Sequence, residues 1–181
     1  AEQVERTYYS NNTIPDKEFL TTSQRSVIQL LTSRNYLTTP VQQTMEKKDK
    51  RLYSVLRGYS SSLSSGMVVE DQYYCKGTDK YEKRISYNKY DIYGNPVYIN
   101  KDGAEKVVYL WGYKGQYLLA EIKGATYEEV KKALMVDPAS MSSCILPSMP
   151  LYLDMIDNLY KALPSALITS YTYHPLIGIS G

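Results

Sequence analysis

Hydrophobic and polar residues alternate along most of this chain, which is the pattern of β-strands with one buried and one exposed face. In the first half of the chain the alternating segments are 4–9, 26–31, 41–44, 52–57, 67–75 and 83–90. The last four read as two hairpins, one with a charged tip and one that turns near Gly77. The pattern predicts short antiparallel strands joined by tight turns.

The hydrophobic period changes to that of a helix in two later segments. Thr126 followed by Glu129 is a capping box, and the apolar residues after it fall on one helical face. A second amphipathic stretch ends before Pro164. The predicted fold is mainly β with a minor helical insertion (α+β), an antiparallel hairpin meander with helices near 126–135 and 149–163. We expect the helices to pack across the open face or edge of the sheet.

Turn-forming residues are densest in the segment 84–103. Its distinctive positions are Tyr90, Asp91, Gly94, Asp102 and Gly103. Asp91 can accept a hydrogen bond from the backbone two residues later, and Gly94 tolerates a positive φ. An Asp-Gly pair is a strong hairpin signal, so we interpret both aspartates as turn residues. Paired catalytic carboxylates are the alternative, and they would need a pocket and shifted pKa values.

Two further strands are predicted over 107–122, joined by a glycine-containing turn at 112–115. Trp111, the one tryptophan of the chain, lies between their apolar runs. A lone indole gains most from packing, so we expect Trp111 to be largely buried at the centre of a sheet.

Residues 84–103, which contain the Tyr90-Asp91 pair, resemble the YD-repeat unit of bacterial Rhs-type proteins. Residues 109–127 resemble the stretch just upstream of further repeats in these proteins, and 163–178 resembles the entry to a next repeat. The resemblance implies a non-enzymatic scaffold or interaction segment of a large secreted or cell-surface protein, whose hairpin repeats wind into a shell. Asn95-Pro96 stands where the usual repeat has Arg-Leu. This departure favours a specialised segment over a regular shell unit.

The resemblance also implies an organisation, namely a single domain that is a fragment of a longer extracytoplasmic chain. Its expected parts are N-terminal hairpins (1–80), the YD-like unit (81–125), the helical insertion (126–163) and the start of the next repeat (164–181). Other repeats of the parent chain are the expected partners. Residues 166–174 alternate and predict a strand without a hairpin partner, so we also expect self-association through this C-terminal edge.

Tyrosine dominates the aromatic residues, with 20 Tyr against one Phe and one Trp. It suits half-buried surfaces where the hydroxyl reaches water or a partner. Because the tyrosines are spread from Tyr8 to Tyr173, we favour ladders of rings along the strands. The alternative function is a carbohydrate-binding module that uses exposed Tyr and Trp faces. A hydrolase would need carboxylates such as Asp71, Glu82 and Asp91 to converge.

Charge and cysteine usage narrow the chemistry further. Lys and Arg number 21 against 19 Asp and Glu, without the concentrated basic patch that predicts nucleic-acid binding. Cys75, Cys144 and the single His174 fit no zinc spacing, so we predict no metal site and no cofactor. The two cysteines fit a disulfide or free thiols equally well. The sequence has no apolar run of 18 residues, so membrane insertion is not expected.

Overall fold

The computed structural model describes residues 2–64, 66–143, 149–174 and 178–179. Contacts divide the chain into two compact units, Ala1–Ser86 and Tyr87–Gly181. Both are mostly antiparallel β with a few helices, in agreement with the predicted fold class.

The first unit consists of antiparallel strands in chain order with one helix inserted after the first strand. Its elements are β1 (Gln3–Tyr9), α1 (Thr22–Ser33), β2 (Pro40–Lys47), β3 (Lys50–Ser60), β4 (Val68–Lys76) and β5 (Glu82–Tyr90), whose last four residues belong to the second unit. Each of β1 to β4 pairs with the strand that follows it. The two hairpins predicted in this part of the chain are confirmed.

The predicted strand over 26–31 is wrong, because this segment lies inside helix α1. Thr21 and Gln24 form a complete capping box: each side chain accepts a hydrogen bond from the other residue's backbone N–H, both at 3.2 Å. The helix then buries one face in a core shared with the strands. That core contains Ile14, Leu20, Val27, Ile28, Leu31, Val41, Leu56 and Tyr59. The residues of 26–31 alone suggested a strand. The capping box that precedes them shows that they belong to a helix.

The second unit combines a hairpin meander with two helices. Its elements are β6 (Pro96–Lys101), β7 (Glu105–Gly112), β8 (Tyr117–Lys123), α2 (Tyr127–Leu134), α3 (Met149–Ala162), β9 (Leu167–Ser170), β10 (Tyr173–His174) and β11 (Gly178–Ile179). Strands β6 to β9 pair antiparallel in chain order, and β10 pairs with β11. Strand, turn and strand therefore follow one another as predicted from the turn residues.

Both predicted helices are confirmed, and they bury an apolar face against the meander. Thr126 and Glu129 form the predicted capping box, and α2 ends at Met135 in the left-handed conformation with φ 58°. The shared core contains Val108, Leu110, Leu119, Ala120, Ile122, Ala125, Val130, Met141, Ile156, Leu159 and Ile168. A six-residue 3₁₀ helix, Pro138–Ser143, occupies part of the loop predicted over 139–147, and residues 144–147 lie outside the described residues.

Trp111 is mostly buried on β7, in keeping with its expectation, although it does not belong to the fully buried core that includes its neighbour Leu110. One expectation about strands needs correction. The strand predicted over 166–174 is interrupted, since β9 ends at Ser170 and β10 begins at Tyr173. The prediction that this segment has no hairpin partner is wrong at its end, where β10 pairs with β11.

Candidate functional site

The turn between β5 and β6 is built around Asp91, which is 3% exposed. One carboxylate oxygen accepts hydrogen bonds from the backbone N–H of Tyr93 at 2.9 Å and of Asn95 at 2.8 Å. The other oxygen accepts from the Asn95 side-chain amide at 3.0 Å. Gly94 has φ 85°, a conformation that favours glycine. The bond from Tyr93 is the predicted one from two residues later, and both oxygens of the carboxylate hold the turn.

The same Asn95 amide joins this turn to the next hairpin. Its Nδ2 also donates to the carbonyl of Gly115 at 2.8 Å, between β7 and β8. The indole N–H of Trp111 donates to the Pro96 carbonyl at 2.8 Å. Asn95 and Trp111 therefore connect consecutive hairpins by hydrogen bonds.

The other positions named in this segment also take part in packing and in turns. Tyr90 is 9% exposed, and its ring lies 6.1 Å from that of Tyr87 in a stacked arrangement. Asp102 and Gly103 have φ of 47° and 74° and form the β6–β7 turn that their sequence predicts. The backbone N–H of Ala104 closes this turn on the Lys101 carbonyl at 3.1 Å.

Tyrosine rings meet beside the β7–β8 turn, and we call the exposed Tyr113 and Tyr117 together with the half-buried Tyr173 the tyrosine cluster. The ring centroids of Tyr113 and Tyr117 are 5.3 Å apart with an interplanar angle of 81°. Those of Tyr117 and Tyr173 are 4.7 Å apart at 48°. Tyr113 and Tyr117 are 39% and 42% exposed, although rings of this size gain most when they are buried.

The backbone that carries Tyr113 adopts a conformation that bulky residues avoid. Tyr113, Lys114 and Gly115 have φ of 51°, 59° and 74°. A Cβ on Gly115 would lie 2.9 Å from the ring of Tyr93, which is itself 46% exposed. Tyr93 therefore packs against the same turn, and a further exposed ring borders the tyrosine cluster.

In the first unit, a buried polar network surrounds Asp71 on β4. Its carboxylate accepts hydrogen bonds from Gln24 at 3.0 Å, Ser86 at 2.9 Å and Tyr73 at 3.2 Å, and it pairs with Lys83 at 2.9 Å. Burial acts to lower the pKa of Lys83, but its bond to Asp71 outweighs this and the pKa lies above its ordinary value. The network ties α1 to β4 and β5.

A second polar network of the first unit centres on Asp16. Its Oδ2 accepts from Tyr81 at 2.8 Å, from Arg51 at 2.9 Å and from the amide of Gln42. Tyr81 and Gln42 also reach the hydroxyl of Ser54, at 2.7 Å and 3.0 Å. Burial raises the pKa of Tyr81 well above its ordinary value, and the bond with Asp16 adds to the shift. The phenol stays protonated and acts as a hydrogen-bond donor.

The carboxylates named for a hydrolase do not converge within the first unit. Asp71 pairs across the sheet with Ser86, whereas Tyr74 pairs with Glu82. Glu82 and Ser86 are four positions apart on β5, which separates their Cα atoms by about 13 Å. The side chain of Glu82 is 67% exposed and binds Arg84 at 2.7 Å. In the second unit, the oxygens of Asp91 are occupied by the turn.

Two further groups with raised pKa values, Tyr127 and Cys75, are also engaged in local structure. Tyr127 donates to Asp137, and burial followed by this bond raises the pKa of the Tyr127 phenol above its ordinary value. Cys75 is 2% exposed, its thiol lies 2.7 Å from the Asp79 carbonyl, and burial raises its pKa. A buried thiol with a raised pKa is a poor nucleophile. Cys144 lies outside the described residues.

An open groove of about 800 Å³ runs along the outer face of α1 in the first unit. Serine, threonine and amide side chains line most of it, together with Lys17 and Arg25. The guanidinium of Arg25 is already bound to the Leu20 carbonyl at 2.8 Å and to the Thr22 hydroxyl at 3.2 Å. Ile14 and Ile28 add apolar surface to the groove, and its arginine supports the helix start.

Among the described residues there is no cluster of His, Cys, Asp and Glu suited to a metal ion, and no helix long and apolar enough to cross a membrane. Comparison with family models, curated proteins and solved structures finds no match for this chain. The resemblance to YD-repeat proteins therefore stays a prediction. The fold and the site define a mostly antiparallel β protein, in which buried carboxylates bind the backbone of turns and the side chains of neighbouring strands.

The tyrosine cluster is the surface feature that the sequence analysis missed. Tyr117 and Tyr173 are separated by 56 positions in the chain, and the helical insertion lies between them. Their contact depends on the placement of β10 beside the β7–β8 turn. The local signal was the position of Tyr113 before Lys114-Gly115, in a turn where Asn or Gly would be usual.

Proposed function

We propose that this chain is a non-enzymatic scaffold and interaction segment of a large extracytoplasmic protein of the YD-repeat (Rhs-like) type. The observation that carries the proposal is the double engagement of Asp91, whose two carboxylate oxygens are both used to hold the turn after the Tyr90-Asp91 pair. A carboxylate in this position builds structure. The same chemistry could be repeated from hairpin to hairpin in a longer chain.

The links between consecutive hairpins support the same conclusion. Asn95 reaches the Gly115 carbonyl, and Trp111 reaches the Pro96 carbonyl, so one hairpin helps to fix the next. Helices α2 and α3 bury the apolar face of the meander. Repeat proteins are stabilised in this way, by contacts between neighbouring units.

Interaction is proposed to occur at strand β9. Within the described residues this strand pairs on one side, with β8, and Leu167 on it is 65% exposed. A strand edge presents unpaired N–H and C=O groups that accept another strand, although on β9 the Ile168 carbonyl already accepts a hydrogen bond from the Tyr160 hydroxyl at 3.0 Å. The natural partner is another hairpin of the parent protein, and a second copy of this chain can take its place.

Light scattering after size-exclusion chromatography tests this proposal with a matched pair of variants. Leu167→Lys puts a charge on the β9 edge, and Leu153→Lys puts the same charge on α3, where Leu153 is 50% exposed. We expect the native chain and Leu153→Lys to associate between micromolar and millimolar concentrations, and Leu167→Lys to remain monomeric. A native chain that stays monomeric over the whole range would contradict the proposed edge.

The alternative is a carbohydrate-binding module, and the exposed rings of the tyrosine cluster favour it. A sugar chain stacks its flat faces on rings that offer accessible planes. The interplanar angles of 48° and 81° give the three rings no common plane. The scaffold proposal is therefore better supported by the geometry.

A further inference from the structure

We propose that the open groove along α1, here called the α1 groove, is a docking site for an extended acidic peptide of a partner protein. This inference goes beyond the scaffold proposal, because no step of it depends on the Tyr90-Asp91 segment or on strand pairing at β9. Failure of one proposal leaves the other standing.

The α1 groove has the dimensions of a peptide site. Its volume of about 800 Å³ lies within the range of about 300–1,000 Å³ that is usual for ligand sites. The residues of α1 that line it run from Thr22 to Ser33, the first and last residues of the helix. At about 1.5 Å per residue this wall is roughly 16 Å long. An extended chain rises about 3.3 Å per residue, so about five residues of a peptide fit along the wall.

Charge is the argument for an acidic occupant. The described lining contains two cations, Lys17 and Arg25, and no Asp or Glu. Asp16 and Glu18 flank Lys17 in the sequence, but the carboxylate of Asp16 is bound by Arg51 at 2.9 Å and Glu18 lies outside the lining. The first turn of α1 also contains no acidic residue that would compensate the positive end of the helix dipole. An acidic ligand therefore meets a surface of opposite charge.

Both cations can bind a further carboxylate. Within the part of the chain that the structure describes, no hydrogen bond or ion pair engages the Lys17 ammonium. The Arg25 guanidinium donates to the Leu20 carbonyl and to the Thr22 hydroxyl, and it keeps further N–H donors. These two bonds hold the guanidinium in place, which lowers the entropy cost of binding. A positioned guanidinium and a second cation suit two carboxylates along one peptide.

The hydroxyl groups of the lining favour a peptide backbone. Ser26, Thr32 and Ser33 donate their hydroxyl protons to backbone carbonyls of the protein, at 3.0, 2.7 and 3.0 Å. Towards a ligand their oxygens therefore act as acceptors, which suits the backbone N–H groups of an extended peptide. The exposed amide of Gln29 adds a donor for peptide carbonyls. The groove thus offers partners for the backbone as well as for the acidic side chains.

An acidic oligosaccharide is the competing occupant. None of the described residues that line the groove is aromatic, so a sugar finds no ring to stack on. Apolar contact is small for either ligand, because Ile14 and Ile28 are 6% and 8% exposed. Binding therefore depends on charge and hydrogen bonds, which predicts a moderate affinity that falls as the salt concentration rises.

The experiment is a nuclear magnetic resonance titration of the ¹⁵N-labelled full chain with hexaglutamate, and in parallel with hexaglutamine and tetragalacturonate. Hexaglutamine has the same length without the charge, and tetragalacturonate carries the charge on a sugar chain. The variants are Lys17→Gln and Gln29→Glu, which change exposed side chains of the lining. The control is Lys47→Gln, which changes an exposed lysine at the end of β2, outside the lining. Circular dichroism and melting curves check that each variant is folded.

We expect hexaglutamate to shift amide resonances of residues 10–33 with a dissociation constant below about 1 mM at low salt, and to bind more weakly at about 0.5 M salt. Lys17→Gln removes a cation and Gln29→Glu adds a carboxylate, so each should weaken binding at least about threefold, while Lys47→Gln binds as the native chain does. The proposal would be overturned by no saturable shifts with hexaglutamate, by equal binding of hexaglutamine, or by tighter binding of tetragalacturonate. Binding that salt does not change, or an equal loss in Lys47→Gln, would also overturn it.

Discussion

The two compact units place a capped helix against antiparallel strands, but they fill their interiors with different chemistry. In the first unit the interior contains, beside its apolar core, the polar residues Gln24, Gln42 and Ser54, all 0% exposed, and Asp71 at 6%. In the second unit the helices bury an apolar cluster that includes Leu110, Ile122, Val130 and Leu159. A polar interior is constrained by shape and by hydrogen-bond partners together, whereas an apolar interior is constrained mainly by volume.

Two strand glycines show the same contrast on a smaller scale. A Cβ on Gly58 would lie 2.3 Å from the amide carbon of Gln24. A Cβ on Gly112 would lie 2.7 Å from a methyl group of Leu119. Each glycine makes room for a core side chain, which is polar in the first unit and apolar in the second.

The largest effect is expected for Asp71→Ala. Removal of this carboxylate takes an acceptor from Gln24, Ser86 and Lys83, at a cost of about 3 kcal/mol in the free energy of unfolding. The half-exposed Lys83 contributes little to this cost, because its ammonium can be hydrated. Glu70→Ala is the matched control, since Gln24 keeps Asp71 when it loses Glu70. We expect the control to cost about 1 kcal/mol. Urea unfolding measures both, and equal costs would contradict the central role of Asp71.

Smaller effects are expected for Gly58→Ala and Gly112→Ala, at about 1–3 kcal/mol each. At Gly58 the cost arises because the displaced Gln24 end is held by hydrogen bonds. At Gly112 it arises because Leu119 is 1% exposed and has no space to move into. Gly66→Ala is the control, because a Cβ there meets no atom within 4 Å. Urea unfolding of the three variants provides the test, and a control as costly as the other two would refute the explanation.

A weaker effect is expected from alkaline pH. Burial, and then the nearby charge of Glu121, raise the pKa of Tyr109 from its ordinary value near 10 to about 12. The unfolded chain therefore loses this proton first, so the contribution to stability is complete below about pH 10 and is lost as the pH rises towards 12. Tyr109→Phe should flatten this part of the curve. Unfolding free energies measured across this range test it, and an unchanged slope in Tyr109→Phe would contradict the assignment.

The difference between the two interiors also explains which elements could be predicted from the sequence. The hairpins follow from local turn chemistry, such as Asp102-Gly103, and were predicted correctly. Helices α2 and α3 carry continuous apolar stripes and were found by their period. Helix α1 was missed because its buried face begins with Gln24, a polar residue whose partner Asp71 is 47 positions away.

Long-range contacts decide what the local pattern leaves open. Leu110 is fully buried and Trp111 only partly, because the helices cover the side of β7 on which Leu110 lies. The tyrosine cluster depends on the return of the chain to the β7–β8 turn at Tyr173, after two helices. The residues next to Trp111 do not encode which face of β7 is covered, and the residues next to Tyr173 do not encode its position beside the β7–β8 turn.

The central claim is that the Tyr90-Asp91 segment is built for folding, with Asp91 and Asn95 acting as one turn clamp. A double-mutant cycle with Asp91→Ala and Asn95→Ala, measured by urea unfolding, tests it most directly. We expect a coupling energy of about 1 kcal/mol or more. A control cycle of Asp91→Ala with Asn158→Ala, an exposed residue of α3, should give additive costs. Additive costs for Asp91 and Asn95 would contradict the claim.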